Sequence, residues 1–245
     1  MKNTAINRAI KTVLFDLDDT LCDDASCWIE CSMQSARLAA AYLPEIDTKR
    51  LANEFLRQSR EYWFSEQSTR ETRSVFEVRT SQWLGALEKS GCERLMPLAQ
   101  EMARDYGARR VSEISLFPEA VDTIVGLRSR GITVAIVSNG FESTHVPKIA
   151  NLGLKPHLDH VILADVIGHF KPDARIFYHA LDLCGCSPDE AIMVGDDLSN
   201  DIGGAEAAGI RSCWFNPSGY PRELGDPKPS LGEISKLSEV LTLLT

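Results

Sequence analysis

The sequence has no long apolar run. A membrane-spanning helix needs about 20 predominantly apolar residues, and nothing in this 245-residue chain approaches that without interruption. Lys2, Arg8 and Lys11 are followed only by Val13, Leu14 and Phe15 before Asp16, too short an apolar stretch for a secretory signal. Positive charge is scarce: 26 Lys+Arg stand against 35 Asp+Glu, a net charge of −9. That excludes a general binder of nucleic acid polymers or anionic membranes, since both need a basic face. It leaves open a small anionic substrate, because one metal ion can invert the sign of a local site. The seven cysteines fall into no ligand pattern. Cys184 and Cys186 are one residue apart, and Cys27 and Cys31 have no histidine or second cysteine pair nearby to complete a zinc site. They read as reduced thiols in a reducing, cytoplasmic setting. There is no internal repeat and no low-complexity segment. With 44% hydrophobic and 25% charged residues the chain is globular and long enough to bury a core without disulfides.

What is present changes texture twice. Residues 12–17 form a short apolar strand that runs into acid. From 23 to 110 helix formers dominate, and the breaks at Pro44, Ser68-Thr69 and Gly91 separate four expected helices at 26–43, 48–66, 71–90 and 93–106. Phe55, Tyr62, Trp63, Val75, Phe76, Trp83 and Leu87 recur at helical spacing, which suits packing between those helices. Beyond 110 short apolar strands (132–137, 160–164, 191–194, 211–215) alternate with helices (117–130, a helix ending at 152, 174–184, 202–208, 234–244). Strands that are apolar along their whole length, alternating with helices, imply a parallel sheet covered on both faces. The expected fold is α/β: a Rossmann-like sheet formed by 1–22 and 111–245, interrupted by a four-helix insert over 23–110.

In open parallel sheets ligands bind beyond the carboxyl ends of the strands. The first strand delivers Asp16, Asp18, Asp19 and Thr20; the second Ser138, Asn139 and Gly140; the loop after the third Lys171-Pro172; the fourth Gly195, Asp196, Asp197 and Asp201. Asp16 and Asp18 are two apart, so in extended chain their side chains point the same way. One of such a pair can attack phosphorus, and the other can protonate the leaving oxygen and then deprotonate water. Crowded carboxylates repel each other and repel phosphate. Mg²⁺ suits such oxygen ligands, with Asp196 as the ligand from another strand. Lys171 adds fixed positive charge, and Ser138 with nearby backbone N–H groups can hold phosphoryl oxygens.

These four segments, in this order, resemble the haloacid dehalogenase superfamily, and the resemblance covers the whole chain. The insert resembles the helical cap of the subgroup in which the cap follows the first strand. The resemblance implies Asp16 as nucleophile and Mg²⁺ ligand, and Asp18 as general acid/base with its backbone carbonyl on the metal. It implies that Thr20 supports the nucleophile loop, that Ser138 and Asn139 hold the phosphoryl group, and that Lys171 neutralises it. Asp196 would complete the metal site, with Asp197 and Asp201 just outside it. A dehalogenase-like member lacks the second aspartate, which is present here as Asp18. A phosphonate hydrolase needs a cap lysine near the hinge, and the insert has only Lys49 and Lys89. Segments 138–143, 164–181 and 192–216 are similar to bacterial pyrimidine 5′-nucleotidases and house-cleaning phosphatases.

The expectation is a Mg²⁺-dependent phosphatase of a small phosphorylated metabolite, such as a nucleoside 5′-monophosphate. A phosphohexose mutase would share the same core residues. A phospho-accepting receiver is disfavoured by the acids and presumed nucleophile sharing the first strand, and a dead binding module by the intact Asp16, Asp18, Lys171 and Asp196. The insert is expected to act as a lid hinged near Asp23-Asp24 and 107–112, with residues near 22–31 facing the cleft, Cys27 and Cys31 among them more readily packing the lid.

Overall fold

The structure is a computed structural model that describes residues 9–63, 65, 73–92 and 95–244. In chain order the elements are β1 (Thr12–Phe15), α1 (Asp24–Ala36), α2 (Thr48–Trp63), α3 (Val75–Lys89), α4 (Met96–Ser112), α5 (Ala120–Arg128), β2 (Thr133–Ser138), α6 (Glu142–Asn151), β3 (His160–Leu163), α7 (Ala164–Ile167), α8 (Ala174–Cys184), β4 (Ala191–Gly195), α9 (Gly204–Ala207), β5 (Arg211–Phe215) and β6 (Glu233–Ile234). They form two compact units. One contains Met1–Asp23, Leu116–His145 and Leu152–Thr245; the other contains Asp24–Ser115 and Val146–Asn151.

The first unit holds a six-stranded sheet in the order β3-β2-β1-β4-β5-β6, with every pairing parallel. This is the expected Rossmann-like α/β architecture. The order places β1 between β2 and β4, in register Val13↔Val134 and Val13↔Ile192. All four residues of β1 and all five of β4 are buried, as strands covered on both faces must be. Leu14, Ala135, Val137 and Met193 share one buried cluster with Ile176, Phe177, Ala180 and Leu181 of α8. Asp173 caps α8 by accepting from the Arg175 N–H, and Gly185 ends it in the left-handed region, so its limits match the expected 174–184.

Three sequence expectations fail in this unit. The helix expected at 234–244 is instead β6, which pairs Glu233 with Trp214, followed by a 3₁₀ turn over Leu237–Thr242. The Glu239 carboxylate accepts from the N–H groups of Ser235 and Lys236 and so starts that turn late. The helix expected at 202–208 begins earlier, as a π-type turn over Leu198–Gly203 leading into α9. Asp197 caps it by accepting from Ser199 N and Asn200 N, both at 2.8 Å. The short loop expected before Lys171 contains the one-turn helix α7.

The helical unit packs around aromatics. Phe55 and Trp83 stack with centroids 3.8 Å apart, and Tyr106 meets Phe55 edge-on at 5.0 Å. Tyr62 and Trp63 pair with each other, and Phe76 lies at the surface beneath Arg104. A capping box between Ser74 and Glu77 opens α3. The single helix expected at 26–43 is α1 followed by a 3₁₀ turn over Arg37–Ala41. The helix expected to stop at 106 continues to Ser112, where Arg109 pairs with Asp105 and Glu113 one turn to either side. The segment 107–112, expected as a hinge, is therefore helical. The expected ends at Glu66, Glu71 and Glu93 lie outside the described residues. The Asp24 carboxylate is gripped by Arg110 and by Lys148, each at 2.6 Å. None of the seven cysteines is in a disulfide. Cys27 and Cys31 are buried with sulfurs 3.6 Å apart, and Cys22 is buried in the sheet unit. Among the described residues no helix is long and apolar enough to cross a membrane.

Candidate active site

The order of the sheet reverses at β1, and the loops beyond β1, β2 and β4 open there, the place where parallel sheets take ligands. Asp16 is the first residue beyond β1. Its N–H continues the ladder by donating to the Val194 carbonyl at 2.9 Å, which seats the carboxylate at the sheet edge. The Lys171 ammonium, 4% exposed, donates to Asp16 Oδ1 and to Asp201 Oδ1, both at 2.6 Å. Asp196 lies beside them. Carboxylate oxygens of Asp16, Asp196 and Asp201 all come within 4.8 Å of one another. Thr20, fully buried, donates to Asp196 Oδ1 at 3.2 Å, and the Trp214 indole N–H donates to the Asp196 carbonyl at 2.8 Å.

The other expected residues take particular places. Asn139 clamps the backbone of Lys171: its Oδ1 accepts from Lys171 N at 2.7 Å, and its Nδ2 donates to the Lys171 carbonyl at 2.9 Å. Ser138 is buried, and its Oγ accepts from Gly140 N at 3.1 Å. Asp197 spends its side chain capping the following turn, and its own N–H donates to Asp201 Oδ2 at 3.1 Å. Asp201, expected outside the metal site to order metal-bound water or Lys171, accepts from the Lys171 ammonium, and its carboxylate lies in the same cluster as those of Asp16 and Asp196. Asp18 is partly exposed and close enough to add its charge to that felt by Asp16.

The electrostatics follow from burial. Desolvation pushes the Asp16 carboxyl up to about 8; the charges of Asp201 and Asp18 push the same way, and Lys171 opposes them. Asp196 is pushed up to about 9 by burial and by the nearby Asp16, Asp201 and Asp19. Burial also raises Asp201. Burial pulls Lys171 down, but Asp16 and Asp201 outweigh it and hold the ammonium charged. Without a cation, three crowded carboxyls beside one lysine hold protons and do not carry their full negative charge; a bound cation would take the place of those protons. Clustered hard oxygen donors of this kind fit a divalent cation such as Mg²⁺.

Sequence reasoning placed Gly195 and Gly140 at the strand ends without what they make room for, and it missed His145. A Cβ on Gly195 would stand 2.2 Å from Asp201 Oδ2, so only glycine lets that carboxylate tuck under β4. A Cβ on Gly140 would stand 1.8 Å from the His145 ring. That ring is buried, with Nε2 at 3.2 Å from Asp18 Oδ2. The available signal was a histidine in the first turn after the Ser138-Asn139-Gly140 segment.

The model of the haloacid dehalogenase-like hydrolase family matches residues 10–209. A glyceraldehyde 3-phosphate phosphatase of Methanothermobacter thermautotrophicus is 30% identical over 244 residues, covering 95% of this chain and 100% of its own length. A phosphoserine phosphatase of Thermus thermophilus is 36% identical over 147 residues, covering 59% of this chain and 56% of its own. The solved structure of a 2-haloacid dehalogenase from Pseudomonas syringae aligns with a TM-score of 0.68 at 29% identity, covering 96% of this chain and 98% of that one. A match across most of the chain, together with the parallel sheet and its four loaded strand ends, places the chain in the haloacid dehalogenase-like hydrolase family.

Proposed function

We propose that the protein is a Mg²⁺-dependent phosphatase that hydrolyses a small phosphomonoester through an aspartyl-phosphate on Asp16. The observation that carries this reading is the buried Asp16 carboxylate at the head of β1, gripped by Lys171, with a second carboxyl two residues on at Asp18. In the first step an Asp16 oxygen bonds to phosphorus while the ester P–O bond breaks, and Asp18 delivers a proton to the departing alkoxide. In the second step Asp18 takes a proton from water, whose oxygen bonds to phosphorus as the acyl-phosphate P–O bond breaks. Free phosphate leaves and Asp16 is regenerated. Lys171 and Ser138 supply positive charge and hydrogen-bonding capacity for the phosphoryl oxygens, and Asn139 fixes Lys171 by its backbone. Asp16, Asp196 and the Asp18 carbonyl, with Asp201 alongside, would hold the cation, and its charge would offset that shared by the carboxylates and the phosphate. The helical unit is the cap that selects the leaving group.

Asp18 separates this reading from dehalogenation. Halide leaves as a stable anion and needs no proton, whereas an alkoxide does. Relatives named for phosphoserine and glyceraldehyde 3-phosphate favour short phosphorylated metabolites, while the core-motif likeness to pyrimidine nucleotidases adds nucleoside 5′-monophosphates to the classes worth assaying. The test is phosphate release with Mg²⁺ and with chelator across nucleotides, sugar phosphates and phospho-acids. Metal-dependent release, abolished in Asp16→Asn along with hydroxylamine-sensitive phosphoryl labelling, is the expected result. An Asp16→Asn enzyme that kept most of its activity would refute the mechanism, and isomerisation of a sugar phosphate without release would make the protein a mutase.

A further inference from the structure

His145 is the buried polar side chain beside the site that the reaction as described leaves unused. It sits in the first turn of α6, 5% exposed, with its ring pressed against the backbone of Gly140 where no Cβ would fit. One side of the ring is tied down: Nδ1 lies 3.0 Å from Thr144 Oγ1, and that hydroxyl donates to the Phe141 carbonyl at 2.9 Å. Since the single hydroxyl hydrogen is committed to Phe141, Thr144 Oγ1 faces Nδ1 as an acceptor. The other side points at the acid: Nε2 is fully buried, makes no well-aligned hydrogen bond, and stands 3.2 Å from Asp18 Oδ2. A buried ring nitrogen is costly to leave unmatched; with the ring hydrogen on Nδ1, Nε2 is an acceptor, and the O–H of the Asp18 carboxyl in its acid form is the donor placed to match it.

From this geometry we infer that His145 is a positioning residue for Asp18: the Gly140 backbone and Thr144 fix the ring, and the ring fixes the carboxyl that protonates the leaving oxygen. The inference rests on the phosphatase reading and acts through Asp18 alone. Asp18 matters most where the leaving group is poor, so the signature of His145 is selectivity by leaving group and not a uniform loss.

The experiment compares kcat/KM for an alkyl phosphate and for 4-nitrophenyl phosphate, with Mg²⁺, in the wild-type protein, His145→Ala, His145→Gln and Thr144→Val. General acid catalysis is worth about 10²–10⁴-fold, so His145→Ala should lose about tenfold or more on the alkyl ester and less than about threefold on the aryl ester. His145→Gln, which keeps a polar group facing Asp18, should recover most of the alkyl activity. In an Asp18→Asn background His145→Ala should cost nothing further on the alkyl ester, because both act through one group. Equal losses on both esters, or additive losses in the double variant, would overturn the inference while leaving the phosphatase reading intact. Absence of release from either ester by the wild-type protein would overturn both. If His145→Ala does not fold, the Gln and Thr144→Val variants carry the same comparison, since loosening the ring should reproduce the selectivity in milder form.

Discussion

Replacing Lys171 by methionine keeps the aliphatic stem and removes the charge from the centre of the carboxylate cluster. The ammonium is buried and holds Asp16 and Asp201 at 2.6 Å each. Removing one partner of a buried ion pair costs about 3–5 kcal/mol, because the other partner stays buried without compensation. In a chain of this size 1 kcal/mol moves the melting temperature by about 2–4 °C, so Lys171→Met should melt about 6–20 °C lower in the absence of metal. The sign of the pH dependence is set by the acids. Asp16 and Asp196 have folded-state values raised to about 8 and about 9. Their stabilising contribution is complete below the ordinary carboxylate value and is lost as pH rises through those raised values. Lys171 opposes the rise, so without it the acids keep their protons to higher pH and the loss runs on beyond the wild-type range. The melting deficit of the variant should be small at pH 5, should grow toward pH 8, and should shrink on adding Mg²⁺. Differential scanning calorimetry at pH 5, 6.5 and 8, with and without Mg²⁺, measures all three. A deficit of a degree or two at pH 8, or one that narrows as pH rises, would show that the lysine is not the cluster's principal counter-charge.

Three further outcomes are expected. The metal-free wild-type protein should itself melt lower at pH 8 than at pH 5, with Mg²⁺ raising the pH 8 value; a flat profile would mean that the acids are not buried in solution as they are here. Gly195→Ala places a methyl 2.2 Å from Asp201 Oδ2 and must displace that carboxylate from Lys171. Displacements of about 1 Å at a reacting site can cost about 10²-fold, and kcat for phosphate release should fall on that scale with the far-ultraviolet circular dichroism unchanged. Trp83→Ala removes one half of the Phe55 stack and should destabilise the helical unit by about 3–5 kcal/mol, read as a lower urea midpoint.

Much of the sheet was legible because its strands are buried on both faces and so appear as unbroken apolar runs. The limits of α8 and β5 were readable to the residue, α8 because its cap and its stop, Asp173 and Gly185, are local signals. β6 carries no such signal: two residues pair with β5 only because the folded chain brings them there. The continuation of α4 past Tyr106 depends on Arg109 reaching acids one turn away in each direction, which a search for helix breakers does not detect. At the site the nine expected residues were visible as strand-end clusters, but their division of labour was not. Asn139 grips the Lys171 backbone and Asp197 caps a turn, while Asp201 reaches the cluster because a wide turn returns it beneath a glycine. His145 was missed because its meaning lies in Asp18, far away along the chain.

The strand at the centre of the sheet has its partners furthest off in sequence. β1 ends at Phe15 and must find β2 at Thr133 and β4 at Ala191, whereas β2 and β3, or β4 and β5, are joined by short excursions. Closing the longer loops costs more chain entropy, by about 0.6 kcal/mol for each doubling of length. The flanking pairs can therefore zip before β1 is captured, and a chain emerging from the ribosome must hold its first strand unpaired until the later ones exist. Asp16 rides on that strand. The Asp16 carboxylate is thus brought into place at the last closure of the sheet, and a chain that stalls before that closure holds Lys171, Asp196 and Asp201 without the acid that Lys171 grips in the folded protein.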